Sequence, residues 1–204
     1  MQLIARVKMG DTLERSDIDA RIKLSIGSNQ QGDADGFFNL PVGLAFDIHR
    51  GLLLVVDANN HRVQVFSCDD GSLVSKFGEQ GSQPGQFKFP RGLAIDHDHD
   101  RILITDYENH RVQSWSLSDQ SFVSCIGRHG PGDLEFYYPQ GIAIDKHHHR
   151  IVIVDSCNYR LVFLSSIDLS FLFECDTNHE NSNVLEYPSS IAIDDDRHRI
   201  IVCD

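Results

Sequence analysis

No apolar run in the sequence approaches the roughly 20 residues that a membrane-spanning helix needs; the longest, such as Leu52 to Val56 and Ile151 to Val154, are far shorter. No stretch is rich in Lys or Arg either, and 18 Lys+Arg against 30 Asp+Glu leave a formal net charge of −12. A phosphate backbone would meet net repulsion there instead of a counterion-releasing basic surface, so nucleic acid is disfavoured as a partner. No secretory leader is expected: the chain opens Met-Gln-Leu-Ile-Ala-Arg-Val-Lys, and Arg6 interrupts the apolar residues before an h-region can form. The five cysteines, Cys68, Cys125, Cys157, Cys175 and Cys203, are odd in number and never in Cys-x-x-Cys spacing. That pattern fits a reducing compartment better than a disulfide framework or a structural zinc site. These absences together imply a soluble, cytoplasmic chain that does not enter a membrane. Gly-x-Ser-x-Gly, P-loop and His-Glu-x-x-His motifs are absent too, which leaves no catalytic motif to assign.

What is present is a repeat. Pro41, Pro90, Pro139 and Pro188 are spaced by 49 residues each, and three columns keep the same phase. They are Ala45, Ala94, Ala143, Ala192; Asp47, Asp96, Asp145, Asp194; and Asp57, Asp106, Asp155, Asp204. A period that does not drift means stacked supersecondary units, each burying its apolar face against a neighbour of the same shape. Within the first unit Gly43-Leu-Ala-Phe-Asp47 reads as one strand. Leu52 to Val56 reads as a second, buried on both faces because it shows no polar alternation. Arg62-Val-Gln-Val-Phe66 alternates and predicts a half-buried third strand, and Leu73 to Phe77 predicts a fourth, ended by Gly78. The connections, including Gly78-Glu-Gln-Gly-Ser-Gln-Pro-Gly85, are rich in helix breakers, and no segment has the period of an amphipathic helix. Four strands in roughly 50 residues is the signature of a β-propeller blade. The expected fold is therefore all-β: a propeller of four-stranded blades, three complete and the rest split or partial. Expected boundaries are repeats at 41–89, 90–138 and 139–187, a partial repeat at 188–204, and N-terminal strands within residues 1–40.

The type of propeller follows from what recurs. The Trp-Asp pair of WD40 blades is missing, since Trp115 precedes Ser116, and no Gly-Gly pair of the kelch kind occurs. Instead Pro41-Val-Gly-Leu-Ala-Phe-Asp47 is followed by Val55-Val-Asp-Ala-Asn-Asn-His-Arg-Val-Gln64. Pro90-Arg-Gly-Leu-Ala-Ile-Asp96 is likewise followed by Thr105-Asp-Tyr-Glu-Asn-His-Arg-Val-Gln113. These two halves in register resemble the NHL repeat family over residues 41 to 204. Copy three departs at Asn158-Tyr-Arg160, and copy four replaces the glycine by Ser190. The resemblance implies a rigid platform that holds a protein or peptide partner, as in the TRIM-NHL and related ubiquitin ligases, where the propeller chooses the substrate. Such ligases carry a RING that this sequence lacks. A rival implication comes from the similar peptidyl-hydroxyglycine amidating lyases, which hold zinc on histidines from different blades. Here His61 and His110 share a phase, but the third copy offers Tyr159. Families of this kind usually make six blades, so the chain is expected to form an open arc; an incomplete product without independent function is a further alternative.

Residues repeated in every copy point to folding. Asp57 and Arg62 flank a short turn and are expected to pair across it, as are Asp106 with Arg111 and Asp155 with Arg160. Phe38, Phe87, Phe136 and Leu185, each three residues before a repeat proline, are expected to anchor the inter-blade loops. The histidine clusters His97-Asp-His-Asp100 and His147-His-His149 both fall in the turn between first and second strands. A polar exposed hairpin explains them without a metal, so no cofactor or metal is expected. A partner site should lie where copies differ. That selects Arg128, His129, Tyr137 and Tyr138 in the second inter-blade loop, and Asp176, His179 and Glu180 in the third.

Overall fold

The computed structural model describes residues 3–5, 24–27, 31–176 and 186–204. Two short strands, β1 (Leu3–Ala5) and β2 (Leu24–Ile26), pair antiparallel as a sheet of their own. They lie inside the segments in which the sequence predicts N-terminal strands. Three complete four-stranded antiparallel sheets follow. The first is β3 (Pro41–Asp47), β4 (Leu52–Asp57), β5 (Arg62–Ser67) and β6 (Leu73–Phe77), hydrogen-bonded in that order. The second is β7 (Pro90–Asp96), β8 (Arg101–Asp106), β9 (Arg111–Ser116) and β10 (Phe122–Ile126). The third is β11 (Pro139–Asp145), β12 (Arg150–Asp155), β13 (Arg160–Ser165) and β14 (Phe171–Asp176). A final pair, β15 (Ser190–Asp194) and β16 (Arg199–Cys203), begins a fourth.

The fold is thus an all-β propeller segment, and its blades stack because their middle strands are apolar on both faces. Leu54, Val56, Val63 and Val65 of the first blade pack with Leu93, Ile102, Ile104 and Trp115 of the second. Leu103 and Val112 of the second meet Ile151, Ile153 and Val162 of the third. Val152, Val154 and Phe163 of the third meet Ile191, Ile200 and Val202 of the last. Phe87 and Phe136 are fully buried in these seams, each contributing about 1.5–3 kcal/mol of apolar burial. The third strand differs from the sequence expectation of a half-buried alternation. Arg62 and Gln64 of β5 are buried along with their apolar neighbours, because their polar ends meet loop carbonyls, described below, instead of water.

The inner strands β3, β7, β11 and β15 lie side by side around the propeller axis. Their glycines are a packing requirement: a Cβ on Gly43 would stand 2.3 Å from the Arg91 carbonyl oxygen, and one on Gly92 2.3 Å from that of Gln140. Thr105 bridges the same seam, accepting the Gly92 N–H at 2.7 Å and donating to the Gln140 carbonyl at 2.6 Å. The ring is open. The β1–β2 and β15–β16 pairs form separate sheets, and apolar Leu44 at one end and Ile201 at the other are each about half exposed.

Candidate functional site

An antiparallel meander sends alternate connections to opposite ends of the blade, so each blade has two faces. One, the loop face, carries the inter-blade loops together with the turns after β4, β8 and β12. These turns are single 3-10 turns (Ala58–Asn60, Tyr107–Asn109, Ser156–Asn158), closed by His61, His110 and Tyr159 in the left-handed conformation at φ 55, 55 and 54.

The repeated aspartates and arginines hold this face together. In the second blade Asp106 Oδ2 accepts Arg111 Nε (2.7 Å), Asn109 Nδ2 (2.8 Å) and Gln113 Nε2 (2.9 Å), and Oδ1 accepts the Lys88 N–H (2.7 Å). Arg111 donates onward to the carbonyls of Ser82, Gln83 and Gln86. Asp57 with Arg62 repeats this with Asp33, Ala34 and Phe37. Asp155 with Arg160 repeats it with Pro131, Gly132 and Glu135. The carboxylates are buried, so these are interior charges with both oxygens hydrogen-bonded, unlike surface pairs. In the third blade Val162 stands where Gln64 and Gln113 supply a donor; there burial pushes the Asp155 carboxyl up, opposed by the Tyr137 N–H, Asn158 and Arg160.

The histidines serve the seam from the other side. His61 Nδ1 accepts the Phe89 N–H at 3.1 Å and His110 Nδ1 accepts the Tyr138 N–H at 3.2 Å. Phe89 and Tyr138 both sit at positive φ just before a proline, a conformation that surrounding contacts must enforce. Burial holds both imidazoles below the usual histidine range, with His129 adding to the effect at His110. An Nδ1 engaged as acceptor in this way makes each ring part of the inter-blade joint.

Above the second and third blades the same face gathers the chain's tyrosines. All five tyrosines of the protein, Tyr107, Tyr137, Tyr138, Tyr159 and Tyr187, sit in its turns and loops. Tyr107 stacks on Tyr138 (centroids 4.6 Å apart) and Tyr138 on Tyr137 (4.8 Å). His129 meets Tyr137 edge-on at 4.8 Å, and His110 lies 4.7 Å from Tyr138. The Arg91 guanidinium covers Tyr107 at 4.9 Å. Tyr187, 63% exposed, lies 6.2 Å from Tyr159. Burial raises the Tyr107 phenol above its ordinary range, and the neighbouring Tyr187 does so for Tyr159. Beside this column the inner strands enclose an axial recess of about 370 Å³, lined by Val42, Leu44, Arg91, Gln140, Ser189 and Ser190 among others.

Of the residues singled out in the sequence, His129, Tyr137 and Tyr138 come together in this column. Arg128 instead points to solvent, paired with Glu135 at 2.8 Å. Asp176 is the exposed last residue of β14, in register with Arg160, and His179 and Glu180 lie outside the described residues. Arg91, Tyr107, Tyr159 and Tyr187 are not among the residues singled out: the first three stand at phases where the other copies carry other residue types, whereas Tyr187, one 49-residue period after Tyr138, is the one that the period could have found. Only the stacking of blades makes them neighbours.

The opposite face carries the two histidine clusters. His49 meets His97 at 4.4 Å and His147 meets His198 at 4.4 Å, ring to ring across blade seams, while His99 and His148 bond to Asp96 and Asp145. Among the described residues no three His, Cys, Asp or Glu side chains converge as a metal-binding group. Nor is any described helix long and apolar enough to cross a membrane.

Comparison with known proteins agrees with this architecture. A family model described as a 6-bladed beta-propeller matches residues 45–127 and again 121–193. No curated protein sequence matches the chain. Among solved structures, a chain of a nidogen/laminin complex superposes with TM-score 0.62 at 19% identity, covering 81% of this chain and 57% of its own. Hydrazine synthase of Kuenenia stuttgartiensis gives 0.61 at 12% identity, covering 83% and 42%. Virginiamycin B lyase from Staphylococcus aureus gives 0.57 at 15% identity, covering 78% and 47%. The chain therefore spans about half the length of these structures, and at such identities the likeness is one of fold.

Proposed function

Because this chain belongs to the 6-bladed beta-propeller family, we propose that it acts as a non-catalytic platform for a protein or peptide partner, with the loop face as its contact surface. The observation that carries this reading is the concentration of every tyrosine, with Arg91 and two histidines, on that face, where Arg91 joins the tyrosine column to the axial recess that it lines. Tyr and Arg are enriched where partners bind: Tyr buries a large rigid ring at low entropic cost, and Arg adds a planar fork of donors. The repeated Asp, Arg and His side chains are engaged in holding loops, which leaves the variable aromatics as the groups open to recognition. In its finer form the reading is the one implied by the NHL-like motif at Pro41–Gln64 and Pro90–Gln113: substrate recognition within a ubiquitin-ligase-type assembly whose RING would be supplied by another polypeptide.

Cross-linked capture tests it, using the wild-type chain, a Tyr137→Ser/Tyr187→Ser variant and an opposite-face His147→Ser variant. A set of proteins retained by the first and third and lost from the second is expected. Identical sets from all three would overturn the loop face as the contact surface.

A further inference from the structure

Arg91 differs from the other arginines on the loop face. Arg62, Arg111 and Arg160 are each matched to a buried aspartate, and Arg128 is matched to Glu135. Among the described residues no carboxylate lies within ion-pair distance of Arg91, and its buried Nε has no hydrogen-bond partner. It directly follows a repeat proline, where the other copies place Val42, Gln140 and Ser189, and among the described residues it is the one ionisable side chain lining the axial recess. Its guanidinium is held there by the Tyr107 ring.

The aromatic column beside it has a definite polarity. Tyr107, Tyr138 and Tyr137 are stacked on one another, so their electron-rich faces are largely committed within the column. What such a stack offers outward is ring edges, the electropositive part of the quadrupole, together with phenolic O–H groups. Beside the column Lys88 pairs with Glu108 at 3.2 Å and Arg128 with Glu135, while towards the last blade Asp204 accepts the Glu186 and Tyr187 N–H groups, so the acidic charge of this face lies away from Arg91. Among the described residues the charge that lines the recess itself is the unpaired positive charge of Arg91, on a chain whose total is −12.

From this we infer that the axial recess and the tyrosine column form a docking site for an acidic peptide segment, with a Glu or Asp carboxylate seated on Arg91 and the flanking backbone laid along the tyrosine edges. A guanidinium presents paired donors matched to a carboxylate, and a hydrogen bond between two ionised groups is about twice as strong as a neutral one. A cationic segment fits poorly, since the ring faces it would need are committed and Arg91 would repel it. The inference rests on the loop face being the contact surface, as proposed above, and names the chemistry that surface selects.

The structure also supplies the reporter. Every tyrosine lies on this face, while the single tryptophan, Trp115, is buried between the first two blades. Ring-labelled tyrosine NMR therefore reads only the site, and tryptophan emission reads only the fold. The probes are a short Glu/Gly peptide, its Gln/Gly isostere, its Lys/Gly counterpart and free glutarate. The Glu/Gly peptide is expected to shift tyrosine resonances, to bind at least tenfold more weakly to Arg91→Gln, and to keep part of its affinity for Arg91→Lys, with Trp115 emission unchanged in all three proteins. Equal shifts from the Gln/Gly or Lys/Gly peptide would overturn the acidic class while leaving the face as a contact surface. Shifts reproduced by glutarate at equal concentration would overturn the peptide in favour of a small carboxylate. No tyrosine shift with any probe would overturn the site, whatever the capture experiment finds. The isostere comparison on the wild-type chain keeps the inference open to refutation even if Arg91→Gln does not fold.

Discussion

Arg111 Nε donates to Asp106 Oδ2 at 2.7 Å with both side chains buried. The same guanidinium reaches three carbonyls of the loop that enters its blade. Removing the carboxylate would leave an interior cation without its partner and the Lys88 N–H without its acceptor. Asp106→Ala is therefore expected to lower stability by about 3–5 kcal/mol, read as a fall in the urea midpoint. Asp35→Asn, which removes an exposed partner of Lys76, should leave the midpoint where it was; equal effects of the two substitutions would refute the interior role.

Phe87 is completely buried and stacks on Trp115 with centroids 5.4 Å apart. Phe87→Ala should cost about 3–5 kcal/mol by leaving a cavity in the seam of the first two blades. Because Trp115 borders that cavity, its emission should move to longer wavelength in the folded state. An unchanged spectrum would mean that the seam closes up around the missing ring.

Gly92 sets the approach of two inner strands. Its replacement by Ala would bring Cβ within 2.3 Å of a backbone oxygen, whereas at Gly141 the nearest backbone atoms stand 3.0 Å away. Gly92→Ala should thus destabilise by about 1–3 kcal/mol, and Gly141→Ala by clearly less, in line with the serine found at the matching position 190. Thermal midpoints of the two variants, measured side by side, decide the order.

Acid should loosen the blade joints before the carboxylates titrate. His61 and His110 are held below the ordinary histidine range by burial, so in the unfolded chain they take up protons more readily than in the folded one. Their contribution is complete above roughly pH 6.5, the unfolded value, and is lost as pH falls from there through the folded values. Thermal unfolding followed from pH 7.5 down to pH 5.5 should show a falling midpoint, with a flatter slope in a His61→Tyr/His110→Tyr variant that gives the first two blades the side chain the third has at Tyr159. Equal slopes would remove the imidazoles from the joint.

The 49-residue period, the strand positions and the anchoring Phe87 and Phe136 are legible in the sequence because each blade repeats the same local requirement. The Asp106–Arg111 pair can be foreseen from its spacing, but not its burial: that follows from loop carbonyls at Ser82 to Gln86, which sequence spacing alone does not bring near. The tyrosine column is least legible. Tyr187 stands one 49-residue period after Tyr138, but Tyr107 follows β8 and Tyr137 falls at a phase that no other copy fills with tyrosine, so the period alone does not assemble the column. Arg91 likewise reads as an exposed alternate of a strand, and only its place at the axis gives it a role.

The loop between β6 and β7 is clasped twice, by His61 of the blade it leaves and by Asp106 and Arg111 of the blade it enters. Repeat arrays are usually softest at their connectors, since each unit touches only its neighbours. Here the connector is a stiff joint, and the angle between successive blades is fixed by directional bonds as well as by oily contact. The spacing of the inner strands beside Arg91 is then a dimension gauged by the hinges around it, set before anything comes to rest there.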